Sequence, residues 1–162
     1  MKAWIDRPFE TRNLFNPAFC AVMLLRAFKA YEAEDEEGMP FSLAILVLPL
    51  CLHAATRNIV IECQRTYFIK TIENHPEMLV GIAKRAHNLL PFSLEALGLA
   101  MQLGCFTVSK SGRLKTIAKA VRAKVKGTDE SIECQKAAQV IGKHFGRLTD
   151  RVTIYTTLGI RP

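Results

Sequence analysis

The sequence contains one clear hairpin pattern, Gly104-Cys105-Phe106-Thr107-Val108-Ser109-Lys110-Ser111-Gly112-Arg113-Leu114-Lys115-Thr116-Ile117. Apolar and polar residues alternate on both sides of the glycine-containing turn at 109–112, which is typical of two short antiparallel strands. Gly104 ends the apolar helical pattern that precedes the first strand. This stretch therefore predicts a β-hairpin that directly follows a helix.

Three short helices are predicted before the hairpin, over residues 65–73, 76–89 and 93–103. His75-Pro76 and Leu90-Pro91 are expected to stop helices because the residue before a proline avoids the α conformation. Ser93 is expected to cap the third helix. Three short helices followed by a hairpin form the layout of a winged helix, although unrelated α+β domains share it. The predicted fold class is mainly α (α+β): a helical N-terminal region, then a winged-helix-like domain with one β-hairpin, then C-terminal helices.

The N-terminal half is expected to contain a helix from Pro17 to about Ala33. Asn16 is a suitable cap, and Pro17 occupies the first helical position, where no N–H donor is needed. The acidic run between Glu32 and Glu37 follows this helix. We interpret it as a solvated helix end, with docking of a basic partner as the second interpretation.

The next element begins at Pro40 and is apolar on nearly every side, through Leu43, Leu46 and Val47. It is expected to be buried, and the pattern leaves open whether it is a helix or a strand. Pro49 is expected to end it. Residues 52–64 are interpreted as a loop or a short extended piece.

After the hairpin, residues 118–125 fit either a strand or a helix, and the pattern does not choose between them. Thr128 should start a helix that ends near Arg147. Five apolar residues share one face of this helix, namely Cys134, Ala137, Ala138, Ile141 and Phe145. A last helix is expected over 150–158, closed by Gly159.

The composition is that of an ordinary globular protein, since 49% of the 162 residues are hydrophobic and 23% are charged. We expect a single domain over residues 1–162. Within it, residues 1–64 would form a helical partner-binding region, and residues 65–162 a winged-helix-like region with C-terminal helices.

Cysteine usage and hydropathy indicate a cytoplasmic location. The five cysteines include no C-x-x-C pair, which suits a reducing compartment. The N-terminus lacks the long apolar region of a signal peptide. The most apolar stretch, residues 43–52, has about half of the roughly 20 residues that a membrane span needs, so no membrane association is expected.

No pattern in the sequence indicates catalysis. The phosphate-binding loops G-x-x-x-x-G-K-S/T and G-x-G-x-x-G are missing. Cys51 and His53 are the only close Cys/His pair, and burial in the core explains them better than zinc ligation. His144 lies near a helix C-terminus, where an imidazole interacts favourably with the helix dipole without a catalytic role. We therefore expect no enzymatic activity, no catalytic residues, no cofactor and no metal site.

The formal net charge of +7 is unevenly distributed. Residues 110–126 include seven basic residues and no acidic one, and we refer to the seven as the basic segment: Lys110, Arg113, Lys115, Lys119, Arg122, Lys124 and Lys126. The basic segment fits contact with the phosphate backbone of double-stranded DNA, and it fits equally well a solvated basic surface or one that meets an acidic protein partner. Phosphate contacts would position the protein without reading base sequence.

Three further stretches resemble a known family. They are Arg7-Pro8-Phe9-Glu10 leading to Leu14-Phe15-Asn16-Pro17-Ala18-Phe19-Cys20, then Met39-Pro40-Phe41-Ser42-Leu43 through Leu48-Pro49-Leu50 to His53 and Thr56-Arg57, and finally Ile154-Tyr155-Thr156-Thr157-Leu158-Gly159-Ile160-Arg161-Pro162. Together they resemble the middle component of bacterial three-component ABC systems, anti-phage defence operons of the Lamassu kind. In such systems an SMC-like or Rad50-like ATPase and an effector, often a nuclease, accompany a small subunit.

The resemblance implies a non-catalytic accessory subunit that binds the SMC-like ABC ATPase and couples DNA sensing to the effector nuclease. Phe9 and Arg161 are then expected to be partner-binding residues. The alternative is a stand-alone winged-helix DNA-binding regulator. Against this alternative, residues 93–103 contain hardly any side chain suited to hydrogen bonding with base edges.

Overall fold

The computed structural model describes residues 4–122, 124–148 and 150–160, and the chain is mainly helical. Short 3₁₀ turns lie at Trp4–Asp6 and Pro76–Leu79. The α-helices of this part of the chain are α1 (Phe9–Leu14), α2 (Pro17–Glu32), α3 (Phe41–Cys51), α4 (Ala54–Glu62), α5 (Phe68–Asn74), α6 (Ile82–Gln102), α7 (Asp129–Leu148) and α8 (Arg151–Thr157).

Three short strands form one antiparallel sheet. They are β1 (Met39–Pro40), β2 (Phe106–Val108) and β3 (Arg113–Thr116), with β3 in the centre. β2 and β3 form the predicted hairpin, in which Phe106 pairs with Thr116. β1 pairs Met39 with Leu114 and brings the N-terminal half of the chain against the hairpin. The hairpin prediction is confirmed, whereas the third strand was not predicted.

Helix α2 lies at the centre of the molecule and packs against α6 and α7, with further contacts to α3 and β3. The Asn16 side chain accepts a hydrogen bond from the Ala18 N–H at 2.9 Å, which confirms the predicted start of the helix. Burial extends around most of α2, from Cys20 to Phe28 and Tyr31. A single hydrophobic cluster contains residues from both sides of position 64.

Helix α7 approaches α2 closely because it presents glycines at the contact. A Cβ atom on Gly142 would overlap the backbone carbonyl of Ala27, and one on Gly146 would lie 2.9 Å from the carbonyl oxygen of Tyr31. The predicted apolar face of α7 is confirmed, since all five of its residues are buried: Cys134, Ala137, Ala138, Ile141 and Phe145. The small residues on this face let the two backbones approach.

Two of the predicted short helices belong to one continuous helix, α6. The prediction of separate helices over 76–89 and 93–103 is wrong, because α6 continues through Pro91. Its inward face is buried on both sides of the proline, at Ile82 and at Ala96. The proline nitrogen cannot donate the helical hydrogen bond to the carbonyl of His87, which is an exposed residue. The winged-helix assignment, which rested on three separate helices, is not confirmed.

Within the segment 52–64, residues Ala54–Glu62 form helix α4, so the interpretation of this segment as a loop or extended piece is wrong. The His53 ring nitrogen Nδ1 accepts a hydrogen bond from the Thr56 N–H at 3.3 Å and caps α4. Buried Arg57 and Val60 hold the helix against the core, and such tertiary contacts override the weak helix propensity of β-branched residues. The element that begins near Pro40 is helix α3, and Pro49 lies within its last turn rather than ending it.

The acidic run is not simply a solvated helix end, and this prediction is corrected. The Glu32 carboxylate accepts hydrogen bonds from the backbone N–H and the hydroxyl of Thr116 on β3. Asp35 pairs with Arg113 on the same strand. Glu34 lies 3.3 Å from Arg147 of α7. Carboxylates from this run therefore join α2 to the hairpin and to α7.

The C-terminal predictions agree with the structure. Asp150 caps α8 by accepting hydrogen bonds from the N–H groups of Val152 and Thr153, and Gly159 has a φ of +65° just beyond its end. In the segment left open, described residues 118–122 are neither helix nor strand. Among the described residues, no single helix is long and apolar enough to cross a membrane; α3 and α4 together meet these limits but are bent by 103°.

Candidate functional site

The basic segment begins on the hairpin. Lys110 lies in the β2–β3 turn and Lys115 on β3, and both side chains are exposed. Arg113, between them, is directed into the molecule. Its Nη1 donates to the Asp35 carboxylate at 2.9 Å and to the carbonyl oxygen of Gly38 at 3.0 Å. Two of the three hairpin cations are therefore available to a partner, and the charge of the third is matched within the chain.

The remaining cations lie on the stretch between the hairpin and α7. All four are exposed: Lys119, Arg122, Lys124 and Lys126. Two buried or partly buried side chains hold the main chain of this stretch. The Lys124 carbonyl accepts a hydrogen bond from Arg26 Nη2 at 3.4 Å, and the Lys126 carbonyl accepts one from Gln135 Nε2 at 3.0 Å. The side chains of α2 and α7 thus anchor the backbone while the basic side chains face solvent.

Of the two predicted partner-binding residues, the structure describes Phe9 and not Arg161. Arg161 lies outside the described residues. Phe9 begins α1 and is 66% exposed. Arg7 holds this end of the chain on α6 through a two-pronged contact with the Glu95 carboxylate, at 2.7 and 2.8 Å. Phe9 is therefore displayed on an anchored segment.

A cavity of about 670 Å³ lies close to this segment, between the end of α1, the start of α2 and the start of α7. Its apolar lining includes Phe15, Phe19 and Leu52. Leu14 is 62% exposed beside it. Phe15 also contacts Phe92 of α6, with ring centroids 4.6 Å apart, so the cavity wall is supported by the same helix that holds Arg7.

A larger groove, of about 830 Å³, runs between α2, the end of α4 and α7. We call it the basic groove. Its charged lining consists of five cations and one carboxylate, Arg26, Lys29, Arg65, Lys136, Lys143 and Glu34. Apolar side chains line it as well: Ala30, Ala33, Ile61 and Val140. Sequence analysis missed this groove because its residues come from three separate segments, none of which is unusually basic on its own.

Arg26 is the buried member of the basic groove. Its Nε donates to the Gln135 side-chain oxygen at 3.3 Å, and burial lowers the pKa of its guanidinium. Glu34 is shared between Arg147 at 3.3 Å and Lys143 at 3.9 Å. Within residues 4–122, 124–148 and 150–160, no carboxylate lies within ion-pair distance of Lys29, Arg65 or Lys136.

The groove and the basic segment adjoin each other. Lys29 lines the basic groove and also a small cavity of about 60 Å³ whose other walls are residues 116–121. Arg26, at the other side, contacts the backbone of Lys124. Two groups of basic residues, one continuous in sequence and one assembled by folding, therefore form a connected surface.

Burial shifts the pKa values of two core cysteines and one core histidine. Burial raises the pKa of Cys20 to about 12 and that of Cys51 well above its ordinary value, so both remain thiols at neutral pH. Burial lowers the pKa of His144 to about 4, and its ring lies against Phe68. In the described part of the chain, no three His, Cys, Asp or Glu residues are grouped so as to hold a metal ion.

Comparison with known proteins identifies a family. The family model described as ABC-three component (ABC-3C) system Middle Component 3 matches residues 4–162. No curated protein and no solved structure matches the chain. Because the match extends over almost the entire sequence, the chain belongs to the Middle Component 3 family of ABC-three component systems.

Proposed function

We propose that this chain is a non-catalytic accessory subunit of an anti-phage defence complex built on an SMC-like or Rad50-like ABC ATPase. Membership of the Middle Component 3 family carries the proposal, because a component of a three-component system works together with the other components. The subunit would couple the ATPase and its sensing of DNA to an effector, a nuclease, in the cytoplasm, as in systems of the Lamassu type.

The arrangement of the fold suits such a coupling role. Helix α2 contacts the hairpin, α3, α6 and α7, so a displacement of the hairpin would be passed to a helix that touches most of the core. Glu32 and Asp35, at the end of α2, hold β3 through charge-assisted hydrogen bonds. Because closely packed contacts of this kind are rigid, a displacement of the hairpin would be transmitted to α2.

DNA contact is assigned to the basic segment. Its exposed lysines and Arg122 would lie along a phosphate backbone, where they would add affinity that falls steeply with salt. They would not read base sequence. This matches a subunit that senses the presence of DNA in a complex rather than one that finds a particular site.

The stand-alone regulator is less well supported by the geometry. The residues of its expected recognition helix form the second half of α6, where Ser93, Ala96, Leu97 and Ala100 are buried in the core. The exposed apolar residues Leu94 and Met101 offer little hydrogen bonding to base edges. Sequence-specific footprinting by the isolated chain would restore this alternative.

The test is co-expression with the other components of the same operon, followed by affinity capture and gel filtration at moderate salt. We expect the chain to elute with the ATPase at a fixed stoichiometry. Elution of the chain alone, as a monomer, would overturn the proposal. ATPase activity should require the ATPase subunit and should be undetectable in the isolated chain.

A further inference from the structure

We infer that the basic groove is a docking site for an acidic amphipathic helix of another component of the system. The inference rests on the proposed function in that it requires a protein partner. It names the surface and the chemistry of the segment that the surface takes. The argument depends on the charges of the groove, on the apolar side chains between them and on its size.

The charges of the groove favour an acidic occupant. Lys29, Arg65 and Lys136 are exposed and have no ion-pair partner in the described part of the chain. The single carboxylate, Glu34, is already shared between two cations of α7. The groove therefore keeps an excess of positive charge, which attracts carboxylates and speeds encounter with an acidic segment.

The apolar side chains favour a protein over a nucleic acid. Ala30, Ala33, Ile61 and Val140 lie among the cations, and none of these four is fully buried. A phosphodiester backbone gains nothing from such a surface, whereas an amphipathic helix buries its apolar face there and places its carboxylates toward the lysines. The basic segment, by comparison, carries its exposed cations on the hairpin and on an irregular stretch outside the groove.

The size of the groove is also suitable. Its volume of about 830 Å³ is comparable to the roughly 300–1,000 Å³ of small-molecule pockets, and it is enough to hold several side chains from one helix. The walls are firm, because α2 and α7 are in backbone contact at Ala27 and Gly142. A preformed, rigid groove lowers the entropic cost of docking.

The first experiment compares two double charge reversals in the full chain, expressed with its own operon components. Lys29→Glu/Lys136→Glu changes the groove, and Lys70→Glu/Lys84→Glu is the matched control on α5 and α6, outside it. All four lysines are exposed, so folding should be retained, and circular dichroism checks this. We expect the groove variant to bind the partner component at least about tenfold more weakly, with the control unchanged.

The second experiment separates a peptide from a phosphate backbone. Ile61→Thr/Val140→Thr retains β-branched side chains at both positions but makes the surface polar. It should also weaken partner binding by several fold and leave binding of a 30-base-pair DNA duplex unchanged. If the lysine variant instead lost duplex binding and the threonine variant changed nothing, the groove would be a nucleic-acid site and the inference would be wrong.

The third experiment identifies the occupant. A photo-crosslinking amino acid in place of Ala33, which is exposed in the groove, is irradiated within the assembled complex. Crosslinks should map to an acidic, amphipathic helical segment of another component. Crosslinks to a neutral or basic segment would overturn the inference and leave the proposed function intact. Failure of the unmodified chain to assemble at all would overturn the proposed function, and this inference with it.

Discussion

The Arg113 guanidinium on β3 donates a hydrogen bond to the Asp35 carboxylate at 2.9 Å, and so joins the most basic and the most acidic runs of the sequence. The side chains are 28% and 16% exposed. Although burial raises the pKa of Asp35, the backbone N–H of Glu37 and the guanidinium of Arg113 together hold it below its ordinary value. The pair fastens the hairpin to the end of α2.

Replacing Asp35 with Asn should destabilise the fold by about 1 kcal/mol at pH 7, because Arg113 loses its charged acceptor in a partly buried site. Folding lowers the pKa of Asp35, so the pair stabilises the fold fully at pH values above the unfolded-state pKa. This stabilisation is lost as pH falls through the lower pKa of the folded state. The free energies of unfolding of Asp35→Asn and wild type, measured in urea, should therefore approach each other as pH falls below 3.8, the ordinary pKa of Asp.

The control is Glu36→Gln, which removes an exposed carboxylate of the same run. It should change the free energy of unfolding by less than about 0.5 kcal/mol. Equal losses for the two variants would mean that the net charge of the run, rather than the Asp35–Arg113 pair, stabilises the hairpin.

Gly142→Ala should destabilise the fold by about 2 kcal/mol or more. The added methyl group would overlap the backbone carbonyl of Ala27, and a backbone atom cannot move aside without shifting α2 against α7. The free energy of unfolding in urea measures the loss, and the transition should remain cooperative.

Gly98→Ala is the matched control, since Gly98 is also a helical glycine and a Cβ there meets no atom within 4 Å. Alanine should stabilise α6 by about 0.5–1 kcal/mol, because it restricts the unfolded chain more than glycine does. Destabilisation by both substitutions would show that close approach of α2 and α7 is not the reason that position 142 is glycine.

Local signals in the sequence predicted the elements whose ends and faces are determined locally. The cap at Asn16, the hairpin turn and the apolar face of α7 each involve residues a few positions apart, and each is confirmed. The break expected at Pro91 failed because the burial of α6 on both sides of the proline outweighs the loss of one hydrogen bond. Tertiary contacts of that kind cannot be read from neighbouring residues.

The candidate site was predictable only where it is continuous in sequence. The basic segment is a run of 17 positions, whereas the basic groove combines residues near 26–34, 61–65 and 136–143. The pairing of Arg113 with Asp35 spans 78 positions, so composition alone could not separate this cation from Lys110 and Lys115. Charge runs predict where a surface is basic, and folding decides which charges remain available.

His144 should make the fold less stable in mild acid. Burial, with Arg147 and Lys143 nearby, lowers the pKa of its imidazole from 6.5 to about 4. Between these values the unfolded chain binds a proton that the folded chain does not, so stability falls as pH decreases from 6.5 and levels off below 4. His144→Gln should remove about 2 kcal/mol of this pH dependence.

Urea unfolding at pH 7.5 and pH 4.5 measures the effect, and His87→Gln is the control because His87 is exposed on α6. The control should retain the pH dependence of the wild type. If His144→Gln retained it as well, the loss of stability in acid would have to come from other groups, and His144 would be protonated in the folded protein.

The exposed lysines of the hairpin should contribute to DNA binding by the assembled complex through phosphate contacts. Each such contact adds about 0.9 to the slope of log K against log salt concentration. Lys110→Gln/Lys115→Gln should therefore reduce the slope by up to about 2 and weaken binding most at low salt. Arg113→Lys should mainly lower stability, because lysine cannot reproduce the paired contacts of the guanidinium with Asp35 and Gly38.

Fluorescence anisotropy with one duplex at several salt concentrations measures the slope, with Lys70→Gln/Lys84→Gln as control. A slope unchanged in the hairpin variant would remove the hairpin from the DNA-contacting surface and leave the stretch from Lys119 to Lys126 as its candidate.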